Sequence, residues 1–253
     1  MIIRFTGILG SIQSAESGNV SIIVSHEDNN VLVDVSGSPV QNLALAGISP
    51  LSLDLVVITH SHVDHTYALP SLVHNLWLLG RSNALRIVGN SETLGVAKGL
   101  CDVFGLEKKK GMFPIYWIGT DSQWDTIHCQ SLDIDLFRVQ HGVPTCGCRF
   151  ISGDKTVVYM ADCCPAETYP EELYGASVLI HEAGGTAIDE PGLVSRGHSS
   201  GRQAAMVARS LGCESLMLCH LPPDEQCQQM ILSEAREVFP NTLIPKLFHP
   251  YEV

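Results

Sequence analysis

Short apolar runs rich in valine and isoleucine recur along the chain, each closed by Gly, Asn, Asp or Pro. Val20–Val24, Val31–Val35, Leu55–Thr59 and Leu85–Val88 fall in the first half. Ile134–Val139, Arg149–Ile151, Val157–Ala161, Val178–His181 and Leu216–Cys219 fall in the second. Runs this short and this β-branched favour strands over helices. The polar breaks at Glu27–Asn30 and Gly153–Asp154 predict hairpins. Elsewhere the spacing turns helical. Apolar residues at 69, 72, 73, 76 and 79 make one stripe and predict a helix over Leu69–Leu79. Ser91–Phe104 and Ser200–Leu211 read the same way, and Pro223–Phe239 opens on Pro-Asp-Glu and is stopped by Pro240. In each half strands cluster before helices. That order predicts an α/β fold, an αββα sandwich of two mixed β-sheets packed face to face with helices outside. No linker, repeat or low-complexity tract interrupts it, so residues 1–253 are expected to form a single domain.

Composition narrows the function classes. With 45% hydrophobic and 17% charged residues, the chain is too apolar for disorder or a coiled coil. Its formal net charge of -12 disfavours non-specific nucleic-acid binding, and the densest basic run is only Lys108-Lys109-Lys110, which reads as a solvated turn. The opening MIIRFTGILGS has no signal-peptide pattern, and no stretch is apolar enough for a membrane span. Nine cysteines, an odd number, fall within apolar runs as well as loops. A cytoplasmic protein with reduced thiols and no membrane partner is expected. The 11 histidines are the unusual count.

Four of the six residues in His60-Ser61-His62-Val63-Asp64-His65 are metal-ligand types, directly after the strand-like DLVVI. On a strand or its terminal loop, His60 and His62 point the same way, and Asp64 and His65 can turn to a second position beside them. Imidazoles and a carboxylate in two adjacent shells are what a two-metal site needs.

The run HSHVDH resembles the His-x-His-x-Asp-His motif of the metallo-β-lactamase superfamily. That family places a further His, Asp and His at later strand ends, and here His141 follows LDIDLFRVQ, Asp162 follows TVVYMA and His220 follows SLMLC. The resemblance implies two divalent metal ions, zinc first, with manganese or iron equally compatible with the ligand types. It assigns His60, His62 and His141 to one ion, Asp64, His65 and His220 to the other, and Asp162 to both. VLIHEAGG and RGHSSGRQAAMVAR further resemble the ribonuclease Z branch, as do the TG..GS pattern near Thr6–Ser11 and ALPSL after the metal motif. In that branch the Gly-His-Ser histidine, here His198, acts as an acid near the scissile phosphate. Glu182 of His181-Glu182-Ala183 is placed to orient it, and Ser199 or Ser200 to cap the following helix. The implied reaction is phosphodiester hydrolysis, with a metal pair lowering the pKa of a water between the ions and a histidine protonating the leaving oxygen. Asp64, His198 and Glu182 are the catalytic residues on this reading.

The chain departs from the branch in two places. Ribonuclease Z carries a tRNA-binding arm between the residues that match His141 and Asp162, and here that gap holds only two strands and a turn. Arm loss and the acidic charge favour a small or cyclic phosphodiester over tRNA as substrate. An RNA 3′-processing nuclease, with an arm borrowed within a homodimer, and a thioester or lactone hydrolase are the alternatives. A metal-holding scaffold without activity is the non-enzymatic one. The second departure is Cys146-Gly147-Cys148 and Cys163-Cys164, expected in loops beside the metals. They read either as soft ligands, substrate contacts or a redox latch, or as small buried side chains. His181 and His249 carry no assigned role.

Overall fold

A computed structural model describes all residues, 1–253. The first half lays down β1 (Ile2–Gly7), β2 (Ser21–His26), β3 (Asn29–Val33), β4 (Leu55–Val57), β5 (Leu85–Gly89) and β6 (Ile115–Gly119). Among them lie α1 (Pro39–Leu45), α2 (Val63–Thr66), α3 (Leu69–Leu78) and α4 (Ser91–Val103). The second half gives β7 (Trp124–Cys129), β8 (Leu132–Val139), β9 (Thr145–Ser152), β10 (Lys155–Tyr159), β11 (Val178–Glu182), β12 (Leu216–Cys219) and β13 (Thr242–Leu243), with α5 (Glu190–Ser195), α6 (Gly201–Ser210) and α7 (Glu225–Val238). A last strand, β14 (Tyr251–Glu252), returns to the first sheet beside β1.

The sheets have seven strands each, in the orders β14-β1-β2-β3-β4-β5-β6 and β13-β12-β11-β10-β9-β8-β7. Both are mixed. β1 to β3 are antiparallel and β3 to β6 parallel, while β7 to β10 are antiparallel and β10 to β13 parallel. Parallel strands covered on both faces need unbroken apolar runs, which is why LVV of β4 and LMLC of β12 are wholly buried. One core fills the space between the sheets, from Phe5, Val24 and Val57 to Phe137, Phe150 and Leu179. A second lies outside the first sheet, where Leu69, Leu72, Val73 and Leu76 of α3 cover Val56, Ile58 and Ile87. The expected sandwich is the fold.

Helix starts are fixed locally. Asn90 accepts from the Thr93 amide at the start of α4, and Asp224 accepts from the Cys227 amide at the start of α7. Ser200 and Gln203 form a reciprocal cap on α6. Two expectations change. β4 ends at Val57 rather than Thr59, so of the strand and its terminal loop it is the loop that carries His60 and His62. Cys146, Gly147 and Cys148 lie inside β9, not in a loop, because the chain turns back to pair with β8 immediately after Pro144.

Candidate metal centre

β8 and β10 run parallel to each other through β9, and β12 shares their direction through β11. Their C-terminal ends therefore reach one edge, and His141, Asp162 and His220 follow β8, β10 and β12 there. The first sheet brings the ends of β3 and β4 to the same place, where Asp34, His60 and His62 stand with Asp64 and His65 in the first turn of α2. Three residues at this edge take positive φ without being glycine: Asp34 at 58°, Ala161 at 56° and His220 at 52°. Such backbone costs about 1–3 kcal/mol each and concentrates where side-chain aim matters.

Two separate groups of possible ligands result, and a third overlaps both. The first is His60, His62, His141 and Asp162, the second is Asp64, His65 and His220, and the overlapping set is Asp162, His198 and His220. In the first, His62 Nδ1 lies 3.1 Å from His60 Nε2 and 3.2 Å from His141 Nε2. Tetrahedral zinc with Zn–N of about 2.0–2.1 Å would hold its nitrogens about 3.4 Å apart, close to these spacings. In the second, His65 Nε2 and His220 Nε2 lie 3.5 and 3.6 Å from Asp64 Oδ2. Asp162 Oδ2 stands between the groups, 3.8 Å from His60 Nε2, 3.6 Å from His65 Nε2 and 3.0 Å from His220 Nε2. His65 Nε2, His220 Nε2 and Asp162 Oδ1 are buried with no hydrogen-bond partner. Buried polar atoms without partners are rare and demand an explanation. Convergent and unpartnered, these atoms fit divalent metal ions.

Three of the opposite ring nitrogens are tied down, whereas His220 Nδ1 is buried without a partner. His60 Nδ1 contacts Thr59 Oγ1 at 3.0 Å, His65 Nδ1 donates to Asp34 Oδ2 at 2.8 Å, and His141 Nδ1 donates to the Gly197 carbonyl at 2.8 Å. Each bond leaves Nε2 free to face the centre. Asp34 is fully buried and also accepts from the Thr59 amide at 2.8 Å and from its hydroxyl. Sequence reasoning passed over Asp34. The available signal was a carboxylate in the otherwise apolar run VLVDV. Ser11 was likewise missed as a site residue; its hydroxyl donates to Asp64 Oδ2 at 3.3 Å.

Charge divides the two groups. Burial and neighbouring imidazoles hold His60 well below the usual histidine range, and burial lowers His62 and His141. Lowered in this way, the three rings favour the neutral form, which is the form able to bind a metal ion. At His65 burial opposes the charge, but Asp34 and Asp162 outweigh it and lift the ring well above its usual range. At His220 burial is likewise outweighed by Asp162 and Asp64, which push it up to about 10. The carboxylates thus draw positive charge to this side of the centre.

His198 stands above both groups, its ring 4.9 Å from that of His141 and stacked 5.3 Å from that of His220. Its Nδ1 is 3.1 Å from both Glu182 oxygens. Glu182 is fully buried and also accepts from the Cys163 amide. Burial raises Glu182, and Glu182 outweighs burial at His198 and raises it too, so the pair keeps its proton to a higher pH than a free histidine would. Two glycines of the sequence motifs are forced by contact. A Cβ on Gly10 would lie 3.0–3.3 Å from the His220 ring. A Cβ on Gly197, at φ +81°, would lie 3.0 Å from His141 Nδ1 and from the Gly142 amide. The remaining predicted residues fall outside. His181 is buried on the face of β11 opposite to Glu182, with Nδ1 on the Glu182 carbonyl and Nε2 3.9 Å from Cys163 Sγ. His249 packs edge-on against Tyr251. Cys146, Cys148, Cys163 and Cys164 are buried thiols outside both ligand groups.

The likenesses to known proteins agree with this geometry. The chain is 26% identical to a protein named ribonuclease Z from Methanothermobacter thermautotrophicus, over 293 aligned positions that cover 96% of this chain and 93% of the relative. A metallo-beta-lactamase fold protein of Bacillus subtilis superposes with a TM-score of 0.83 at 23% identity, covering 99% of both chains. The short form of human tRNase Z does so with a TM-score of 0.81 at 18% identity, covering 100% of this chain and 99% of that one. The sequence pattern described as the beta-lactamase superfamily domain matches residues 29–221. The chain belongs to the beta-lactamase superfamily and is a hydrolase.

Proposed function

We propose that the protein is a binuclear metal-dependent phosphodiesterase. The observation that carries this reading is the placement of His198, held by Glu182 and standing over both ligand groups. His60, His62 and His141 would hold one divalent ion, Asp64, His65 and His220 a second, and Asp162 both, with zinc the first candidate from the nitrogen-rich donor set. Such ions supply activation of water near neutral pH and neutralise charge on a phosphoryl group.

The chain's own residues do the rest. Glu182 fixes the His198 tautomer by accepting from Nδ1, so the opposite nitrogen faces the groove. His198, kept protonated by that carboxylate, donates to the leaving oxygen. Ser11 and His220 restrain Asp64 from two sides. Residues 1–253 act together as one domain on this reading. All nine cysteines stand as thiols, eight of them buried, which supports a reducing compartment such as the cytoplasm. No helix is long and apolar enough to cross a membrane.

Within this class a small or cyclic phosphodiester is favoured over tRNA. Between His141 and Asp162 lies only the β9–β10 hairpin, turned through Gly153-Asp154. The 293 positions aligned with the ribonuclease Z relative exceed the 253 residues of the whole chain, so at least 40 of them face no residue here. The name of that relative favours the second reading, RNA 3′-end processing, with an arm supplied by the second copy of a homodimer. The metal-loaded protein, assayed on bis-p-nitrophenyl phosphate, 2′,3′-cyclic nucleotides, a tRNA precursor and a thioester, separates these readings. Turnover of the small diesters ahead of the tRNA precursor supports the first; no turnover of any phosphodiester defeats both.

A further inference from the structure

The groove over the ligand groups opens on two sides. On one, a hollow of about 550 Å³ is walled by Gln13, Asn19 and Tyr67 together with His62 and Asp64. On the other, a hollow of about 370 Å³ is walled by Gly10, Arg196, His198, His220 and Pro222. Ser11 borders both, so they lie side by side over the ligand groups. The two ends differ in charge. The first holds amides, hydroxyls and the Asp64 carboxylate. The second has no carboxylate among its lining residues, in a chain with 27 acidic and 15 basic residues, and one of those lining residues is Arg196.

Arg196 directly follows α5 and is exposed, and its guanidinium lies along α5, with Nη1 3.4 Å from where a Cβ on Gly192 would stand, free to turn toward the hollow that the residue borders. It forms no ion pair, although acids stand close in sequence. Glu190 on α5 is turned away, accepting from Ser200 Oγ at 2.8 Å and paired with Arg202 at 3.6 Å. Asp189 is occupied by the Thr186 amide and hydroxyl. Arg196 is thus left uncompensated beside the histidine that faces the leaving group.

We propose that Arg196 reads a second phosphate, carried on the leaving portion of the substrate, and that the hollow beside His198 is its binding site. The inference rests on the phosphodiesterase reading for the word leaving, but not for the binding itself. A planar guanidinium matches a phosphate with two parallel hydrogen bonds, and neutralising it in a hollow free of carboxylates meets no repulsion. The substrate class sharpens accordingly. It is a phosphodiester with a further phosphate on the His198 side and an uncharged polar portion, such as a nucleoside, on the Tyr67 side.

The test is binding to the metal-loaded protein, measured by calorimetry with three uncleavable methylenephosphonate-linked adenosine dinucleosides. One has no terminal phosphate, one a 5′-terminal phosphate and one a 3′-terminal phosphate. A charge-assisted pair implies that one phosphorylated ligand binds about 10–100-fold tighter than the unphosphorylated one. Arg196→Gln should reduce that preference to about threefold or less, and Arg196→Lys should retain part of it. The proposal is overturned by wild-type protein with no preference, by a preference that survives Arg196→Gln, or by Arg196→Gln weakening all three ligands equally. Because the ligands are not cleaved, failure of the phosphodiesterase reading would show only in turnover.

Discussion

Asp34 offers the sharpest test of how the ligand set is held. It accepts from His65 Nδ1 at 2.8 Å, from the Thr59 amide at 2.8 Å and from the Thr59 hydroxyl, with no exposure to solvent. Asp34→Ala would strand all three donors, at about 1–3 kcal/mol each, and confuse unfolding with function. Asp34→Asn is cleaner. Asparagine tolerates the positive φ of 58° at this position, and its carbonyl can still accept from Thr59. Its amide nitrogen, however, would face His65 Nδ1. His65 must then accept there and carry its proton on Nε2, the buried atom aimed at Asp64 and Asp162. A protonated nitrogen cannot bind a metal. Loss of such an orienting carboxylate weakens metal affinity by roughly 10–100-fold, or about 1.4–2.7 kcal/mol. The fold should lose only about one hydrogen bond, roughly 1 kcal/mol. Metal occupancy against buffered free zinc, with thermal melting of the apo-protein as control, reads both quantities. Unchanged zinc affinity together with a large drop in melting temperature would refute the reasoning and leave Asp34 a structural cap.

Three further outcomes follow from the same geometry. His198→Ala should cut phosphodiester turnover by roughly 10²–10⁴-fold with full metal content; loss of metal would place His198 among the ligands. Gly197→Ala forces a Cβ into left-handed backbone 3.0 Å from His141 Nδ1. It should cost at least about 1–2 kcal/mol and lower metal occupancy; unchanged melting and occupancy would count against the contact. Burial pushes Cys146 up to about 12 and raises the other thiols near the site. Native protein should therefore react with Ellman's reagent only at the half-buried Cys227, and at all nine thiols once unfolded. Fast reaction at Cys163 or Cys164 would revive a redox role.

The interior strands were legible because their environment is uniform. Runs such as Leu216–Cys219 are covered on both faces and so are continuously apolar. Edge elements were not. β6 and β7 expose much of their surface, so Ile115–Gly119 and Trp124–Cys129 alternate too irregularly to stand out, and β13 and β14 are two residues long. α2 is only four residues and begins inside the metal motif, where ligand residues hide any helical stripe. Site residues spaced within six positions were visible directly. His141, Asp162 and His220 became visible through a resemblance, since nothing local tells a strand-end histidine that ligates from one that packs. Asp34 and Arg196 were invisible for opposite reasons. Asp34 works through a contact 31 residues away, and the meaning of Arg196 depends on carboxylates being absent from a hollow whose walls come from four separate segments. The cysteines show how sequence proximity misleads. Cys146 lies five residues after His141, but β-pairing turns it into the core.

The account centres on a two-ion site built from seven side chains and serving one reaction. Adding zinc or manganese stepwise to metal-free protein, while following hydrolysis of bis-p-nitrophenyl phosphate, tests that claim most directly. Activity should rise until two ions are bound per chain and then level off. A plateau at one ion, or two bound ions with no hydrolysis, would contradict it.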